Sequence, residues 1–218
     1  MPVPSERDEP TTPSDHTSSN RATYDRIALR YAQHQNQPRT PADDLFSSFE
    51  RAFLARVPDA GVVGDMGCGP AMDGGRFAAQ GYRVLGLDLS MGMLAVAAER
   101  LPGRLVQGDL RALPLASGQL DAIWSVASLL HVPQRDTSKV LLEFRRTLAI
   151  TGTLALITAL GEGDVFEAVP YAPDEQRWFV YRNRHRLVQQ VRDAGFSVDF
   201  EGQVEGNRLW STVLATSA

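Results

Sequence analysis

The chain has 218 residues, 43% of them hydrophobic, which is enough for one full-sized domain with its own core and argues against a second. A formal net charge of −4 gives it no general attraction to nucleic acid or an anionic membrane, and no apolar run reaches the roughly 18 residues of a membrane-crossing helix. A single cysteine, Cys68, excludes an intrachain disulfide, and the N-terminus lacks the apolar core of a secretory signal, so the expected location is cytoplasmic.

The first 20 residues, MPVPSERDEPTTPSDHTSSN, are polar and poor in large apolar side chains, and are expected to be a disordered tail. RATYDRIALRYAQHQ then places Tyr24, Ile27, Ala28 and Tyr31 on one helical face. DDLFSSFERAFLARV places Leu45, Phe49, Phe53 and Leu54 in phase for a second helix, ended by Pro58 and Gly61. From Val62 short apolar runs alternate with helical stretches. The predicted strands are VVGDM, YRVLGLDL, GRLVQGDL, QLDAIWSVASLL and TGTLALITAL. The predicted helices between them lie around RFAAQ, in MGMLAVAAERL and in TSKVLLEFRRTLA. After a loop, HRLVQQVRDAGF reads as a helix closed by Gly195, and FSVDFEGQV and NRLWSTVLAT as two final strands. This alternation predicts a doubly wound α/β fold of seven strands, mostly parallel with an antiparallel last strand, with helices on both faces and a ligand site at the C-terminal strand ends.

The stretch VVGDMGCGPAMDGG sits where such a site would open. A phosphate-binding P-loop needs Lys and Ser/Thr after its last glycine, and Gly75 and Arg76 stand there. A dinucleotide loop wants a third glycine where Met72 stands, although Asp88, about twenty residues on, would suit a ribose. The third device, D-x-G-x-G, puts an acid at the strand tip. Asp65 in that place would repel a pyrophosphate and attract a cationic amino-acid ligand.

GDMGCGP, VLGLDLS, QGDLRALPLASGQLDAIWSVASLLHVP and EFRRTLAITG, in that order and spacing, resemble the successive motifs of class I S-adenosylmethionine-dependent methyltransferases of the type 11/25 group, over about Tyr24 to Ala159. The late stretch YAPDEQRWFVYRNRHRLVQQVRDAGFSV is similar to bacterial members of the same group. The resemblance implies S-adenosylmethionine as cofactor and assigns its contacts as follows. Gly67, Cys68 and Gly69 would let the backbone approach, with Asp65 polarising the region. Asp88 would accept the ribose hydroxyls. Leu89 and Met93 would border the adenine, with Asp109 and Leu110 at its amino edge. Ser125 and Val126 would meet the methionine end, and Leu130 and His131 would line the floor beside the methyl group. It further implies one domain over 21–218. Residues 21–58 would form an N-terminal helical lid carrying Tyr24 and Tyr31, and 160–183 an acceptor-site insertion. Two positions depart from the family pattern: Ala71 replaces a glycine of the loop, and LAITG replaces the usual L-R-P-G-G turn.

His131 is the candidate base for an acceptor hydroxyl or amine, with a packed, pocket-shaping histidine as the competing reading. Arg177, Trp178 and Tyr181, clustered with Phe179, are the candidate acceptor contacts, the arginine suiting a carboxylate or phosphate. Arg208 and Trp210 share one strand face. Asp121 reads as structural, Cys68 as a loop residue, His185 as solvated, and no metal-ligand spacing is present. The expected reaction is methyl transfer to a small molecule. A tRNA-modifying enzyme is the alternative, on YDRIALRY and RWFVY, against which the acidic balance argues; a non-catalytic cofactor-binding protein of the same fold is another.

Overall fold

A computed structural model describes residues 15–36 and 46–218. Residues 1–14 of the expected tail, and Leu45 of the second predicted helix, lie outside the described residues. The sheet has seven strands in the order β3-β2-β1-β4-β5-β9-β8. β1 (Val62–Met66), β2 (Arg83–Asp88), β3 (Leu105–Gln107), β4 (Leu120–Val126) and β5 (Leu148–Ala159) run parallel. β9 (Leu209–Ser217) is antiparallel to both β5 and β8 (Phe196–Glu205), as the sequence predicts for the last strand.

Alternation along the strands feeds two cores. Val63, Ala122, Trp124, Ala155 and Leu214 face α2 (Ser47–Leu54), α3 (Met72–Ala79) and α4 (Met91–Ala97), meeting Phe49, Phe53, Phe77 and Leu94. Met66, Ile123, Leu154, Leu156 and Val213 face α5 (Thr137–Thr147) and α6 (Arg184–Asp193), meeting Val140, Phe144, Leu187 and Val191. Burial on both faces is why these strands read as unbroken apolar runs. Asp121 is structural, as expected: its carboxylate accepts from the Val62 N–H at 2.7 Å.

Three expectations are corrected. The tail does not extend to Asn20, because α1 spans Thr17–Gln35 and Asn20 is buried. Its side chain pairs with both backbone groups of Trp178, so hydrogen bonding, invisible to a hydrophobicity count, holds it inside. The stretch after β5 is not a loop but a hairpin, β6 (Asp164–Val169) and β7 (Ala172–Val180), forming its own two-stranded sheet. Finally, α2 is no part of a lid. Phe53 is fully buried against Phe77 and Trp124, so α2 belongs to the core, and only α1 lies over the strand ends.

The two family departures have a common backbone consequence. Ala71 and Thr151 both take left-handed conformations, φ 55° and 63°, where a glycine would be unstrained.

α1 is fastened at three places. Asp25 accepts from the Ser90 hydroxyl at 2.6 Å and the Gly92 N–H at 2.9 Å, completing the cap of α4. Arg26 holds Glu175 on β7 through two bonds of 2.6 and 2.7 Å. The Asn20 pairing is the third. The approach to α4 requires a glycine: a Cβ on Gly92 would stand 2.6 Å from the Asp25 carbonyl oxygen. Gly92→Ala is therefore expected to destabilise the protein despite a helix-propensity gain of about 1 kcal/mol, since forced overpacking costs about 1–3 kcal/mol. A lower melting temperature together with faster proteolytic cleavage within α1 is the expected result.

Candidate functional site

A cavity of 790 Å³ opens at the C-terminal ends of β1, β2 and β4, roofed by α1 and closed on one side by the β6–β7 hairpin. Its floor is built by the glycine loop. The Gly67 and Cys68 N–H groups both donate to the Leu87 carbonyl, at 2.7 and 2.9 Å, which pins the loop against the end of β2. Gly67 has φ 77° and packs on Ser128 so closely that a Cβ would lie 2.3 Å from the Ser128 Cβ. Gly69 has φ 52° and open space where a Cβ would be, so its backbone is uncovered toward the cavity.

One end of the cavity is acidic. The Asp88 carboxylate accepts from the Gly69 N–H and the Ser90 N–H, each at 2.8 Å, which fixes its orientation and leaves further lone pairs toward the cavity. Asp65 is buried, accepts from the Gly74 N–H at 3.1 Å, and has no basic partner among the described residues. Burial, and then the neighbouring Asp73 charge, push its carboxyl well above the usual range; burial likewise raises Asp88. Cys68 is buried, and burial pushes its thiol up, so it is no nucleophile.

The other end is aromatic and basic. Tyr24, Tyr31, Tyr171, Phe179 and Trp210 line it, with Arg177 and Arg208. Arg208 is held by Glu167 in two bonds of 2.9 Å and lies over the Phe179 and Trp210 rings at 4.5 and 5.7 Å. Between the two ends sits His131. The Asn20 Nδ2 and the Trp178 carbonyl are each 2.8 Å from its Nδ1, and the Tyr24 hydroxyl is 2.8 Å from its Nε2. Both nitrogens are thus engaged by protein atoms, and burial lowers the ring's pKa to about 3, so it stays neutral near pH 7. The ring thus has the packed, pocket-shaping arrangement that was the competing reading of His131, with its Nε2 beside the Tyr24 hydroxyl.

Of the residues expected from sequence, Tyr24, Tyr31, Asp65, Gly67, Cys68, Gly69, Asp88, Leu89, Met93, Asp109, Leu110, Val126, Leu130, His131 and Arg177 are brought to this one cavity. Ser125 is not: it is fully buried, its hydroxyl 2.7 Å from that of Ser128, and Ala127 and Ser128 form the wall instead. Trp178 and Tyr181 are not either; they line a separate cavity of 410 Å³. Alternation along β7 sends Trp178 to the face opposite Arg177 and Phe179, and Tyr181 points its hydroxyl to Glu167 at 2.5 Å. Asp109 lines the cavity, but Arg111 occupies its carboxylate at 2.7–3.1 Å. Burial pushes the Asp109 carboxyl up, and the Arg111 hydrogen bonds outweigh that and hold it below the usual range. The Asp109 side chain thus stands in the cavity wall as half of an ion pair with Arg111.

Asn20 and Tyr171 were missed. Asn20 stands one helical turn before Tyr24, in phase with Tyr24, Ile27 and Tyr31, so helical spacing carried the signal. Tyr171, in the hairpin turn, carried none. Among the described residues no cluster of His, Cys, Asp and Glu could hold a metal, and no helix is long and apolar enough to cross a membrane.

Residues 64–156 match the family described as a methyltransferase domain. The chain is 39% identical over 105 residues to a malonyl-[acyl-carrier protein] O-methyltransferase of Enterobacter lignolyticus, covering 48% of this chain and 39% of the relative. It is 32% identical over 154 residues to an 18S rRNA (guanine-N(7))-methyltransferase of Arabidopsis thaliana, covering 67% and 50%. The chain thus spans half or less of the length of these curated relatives. The fold superposes on the 1,6-didemethyltoxoflavin-N1-methyltransferase of Burkholderia thailandensis, solved with bound S-adenosylhomocysteine, at a TM-score of 0.69 and 20% identity, covering 97% of this chain and 93% of that one.

Asp65 generates a pH prediction. Its raised pKa means that the fold favours the protonated acid, so wild-type stability falls as pH rises through that value. Asp65→Asn keeps an acceptor for the Gly74 N–H and removes the charge. It is expected to melt several degrees higher than wild type near about pH 8, with the gap shrinking toward about pH 5. Melting curves at the two pH values check both the sign and the trend.

Proposed function

This chain belongs to the class I S-adenosylmethionine-dependent methyltransferases, and we propose that it moves a methyl group from that cofactor to a small-molecule acceptor bound under α1. The carrying observation is the polarity of the cavity: carboxylates at the β1 and β2 tips, and arginines with aromatic rings at the hairpin. The acidic end fits the cofactor on this structure's own terms. Asp65 is a buried acid without a cation, suited to an ammonium, and the oriented Asp88 carboxylate is suited to a pair of hydroxyls. The uncovered backbone at Gly69 suits close approach, and Leu89, Met93 and Leu110 offer apolar walls for a base.

When bound, the cofactor supplies an electrophilic methyl group on a sulfonium. The protein's part is to orient and to exclude water. α1 covers the strand ends and places Tyr24 and Tyr31 beside the cavity, where an aromatic face favours a nearby cation by roughly 0.5–2 kcal/mol. His131 fixes the Tyr24 hydroxyl, while Val126 and Leu130 keep the floor apolar. Holding acceptor and methyl donor in line can supply roughly 7–11 kcal/mol in ideal cases. The malonyl-[acyl-carrier protein] relative supports an O-methyl acceptor. The rRNA relative supports a nucleic-acid acceptor, but the net charge of −4 and the cavity roofed by α1 favour the small molecule.

Calorimetric titration of the protein with S-adenosylhomocysteine tests the cofactor reading. Binding in the micromolar range is expected, weakening about 100-fold or more in Asp88→Ala, since a bidentate charged contact and the orientation of the Gly69 loop are lost together. No binding by folded wild-type protein sinks the reading. A second expectation concerns pH: with His131 neutral down to about 3, transfer rates at saturating cofactor should show no inflection from this ring between about pH 5.5 and 8. A midpoint near 6.5 that vanishes in His131→Gln would instead make the ring the base.

A further inference from the structure

The hairpin end of the cavity contains an arginine that the fold leaves without a carboxylate partner. Arg177 lies opposite Glu167 across the β6–β7 ladder, the usual place for an ion-pair partner. Glu167 is already taken, by two 2.9 Å bonds from Arg208 and by the Tyr181 hydroxyl at 2.5 Å. No other carboxylate among the described residues comes within ion-pair distance of Arg177. Its guanidinium rests near the Phe179 ring, 5.2 Å from the centroid, and hydrogen-bonds the Tyr24 hydroxyl, while its Nε is buried without a partner and its charge reaches Tyr31 and Tyr171. The Tyr171 hydroxyl, in the wall of the same cavity, is also buried and unpartnered. Burial pushes it up to about 12, so it is a neutral donor at physiological pH.

Two donor groups of one cavity, the Arg177 Nε–H and the Tyr171 hydroxyl, are therefore buried with no acceptor in the protein. Leaving such groups unsatisfied is costly, and a ligand acceptor reaching both would relieve that cost. The planar guanidinium fork matches a carboxylate, and the walls of Tyr24, Tyr31, Phe179 and Trp210 match an apolar or aromatic body. The far end is lined by the acids Asp65, Asp73 and Asp88 and offers an anion no cationic partner as close as the hairpin arginines do. The proton inventory agrees. The His131 nitrogens are both engaged and burial raises the Tyr24 phenol, so the acceptor end holds no free base, and a carboxylate has no proton to give up.

We propose that Arg177 and Tyr171 form a carboxylate-binding subsite, and that the acceptor is a carboxylic acid with an apolar body. This rests on the methyl-transfer reading for the word acceptor, but the subsite can be tested without turnover. The full chain is titrated with benzoate, with the neutral isostere benzamide and with inorganic phosphate, each with and without S-adenosylhomocysteine, followed by calorimetry. Benzoate is expected to bind at least about 10-fold more tightly than benzamide, with phosphate failing to displace it. Arg177→Met should weaken benzoate by about 10-fold or more and Tyr171→Phe by about 3-fold, each leaving S-adenosylhomocysteine affinity unchanged. Benzoate no better than benzamide, or absent from wild type, overturns the proposal, and that comparison needs no variant to fold. Phosphate binding more tightly than benzoate overturns the carboxylate assignment in favour of a phosphate site. Loss of S-adenosylhomocysteine binding with benzoate retained would refute the cofactor reading alone.

Discussion

The whole site depends on one topological fact: β1 lies between β2 and β4, and the connections on its two sides leave toward opposite faces of the sheet. The C-terminal end of β1 therefore has no crossover passing above it, and a crevice opens there. Everything that lines the acidic end is a consequence. The loop after β1 turns into the crevice, the last residue of β2 brings Asp88 beside it, and Ala127 and Ser128 after β4 form the opposite wall. The Gly67 and Cys68 bonds to the Leu87 carbonyl lock loop and strand into one unit, so Asp88 and Gly69 hold a fixed relation before any ligand arrives.

That preorganisation has a cost that the fold carries elsewhere. Asp65, Asp73 and Asp88 line one cavity, and two of them have carboxyl pKa values raised by burial. Ala71 adds left-handed strain in the same loop. The compensation comes from the two cores on either side of the sheet, where Trp124, Phe53, Phe77 and Phe144 are essentially fully buried. A protein with this distribution holds its least favourable electrostatics where a cationic ligand would relieve them.

The roof is joined to the site by polar bonds more than by apolar area. α1 buries Ile27 and Ala28 against Met93, Val169 and Ala172, a small cluster beside the main cores. Asn20, Asp25 and Arg26 then fix its angle through β7, α4 and Glu175. One consequence is mechanistic. The Asn20 amide that latches α1 to Trp178 also touches His131 Nδ1, whose other nitrogen meets Tyr24, so closure of the roof and orientation of the Tyr24 hydroxyl are a single arrangement. Segments held by a few hydrogen bonds over a small core open at lower free energy than the sheet beneath them, which is what entry to a covered cavity requires.

The sequence by itself determined the sheet, because apolar runs buried on both faces and glycines at strand ends are local signals that no other fold element mimics well. It determined the acidic end for the same reason: Asp65, Gly67, Gly69 and Asp88 are fixed to strand tips, so naming the strands places the residues. Where side chains choose partners far along the chain, the sequence was silent. It could not show that Arg111 would take Asp109, that Asn20 would pair with Trp178, or that both nitrogens of His131 would be engaged. Only the tertiary structure decided the basic end. A one-residue alternation along β7 puts Arg177 inside and Trp178 outside, and Arg208, some thirty residues on in sequence, takes the glutamate that would otherwise have neutralised Arg177. Local patterning sets which elements form, but charge pairing is set by distances between elements, and those exist only once the chain has folded.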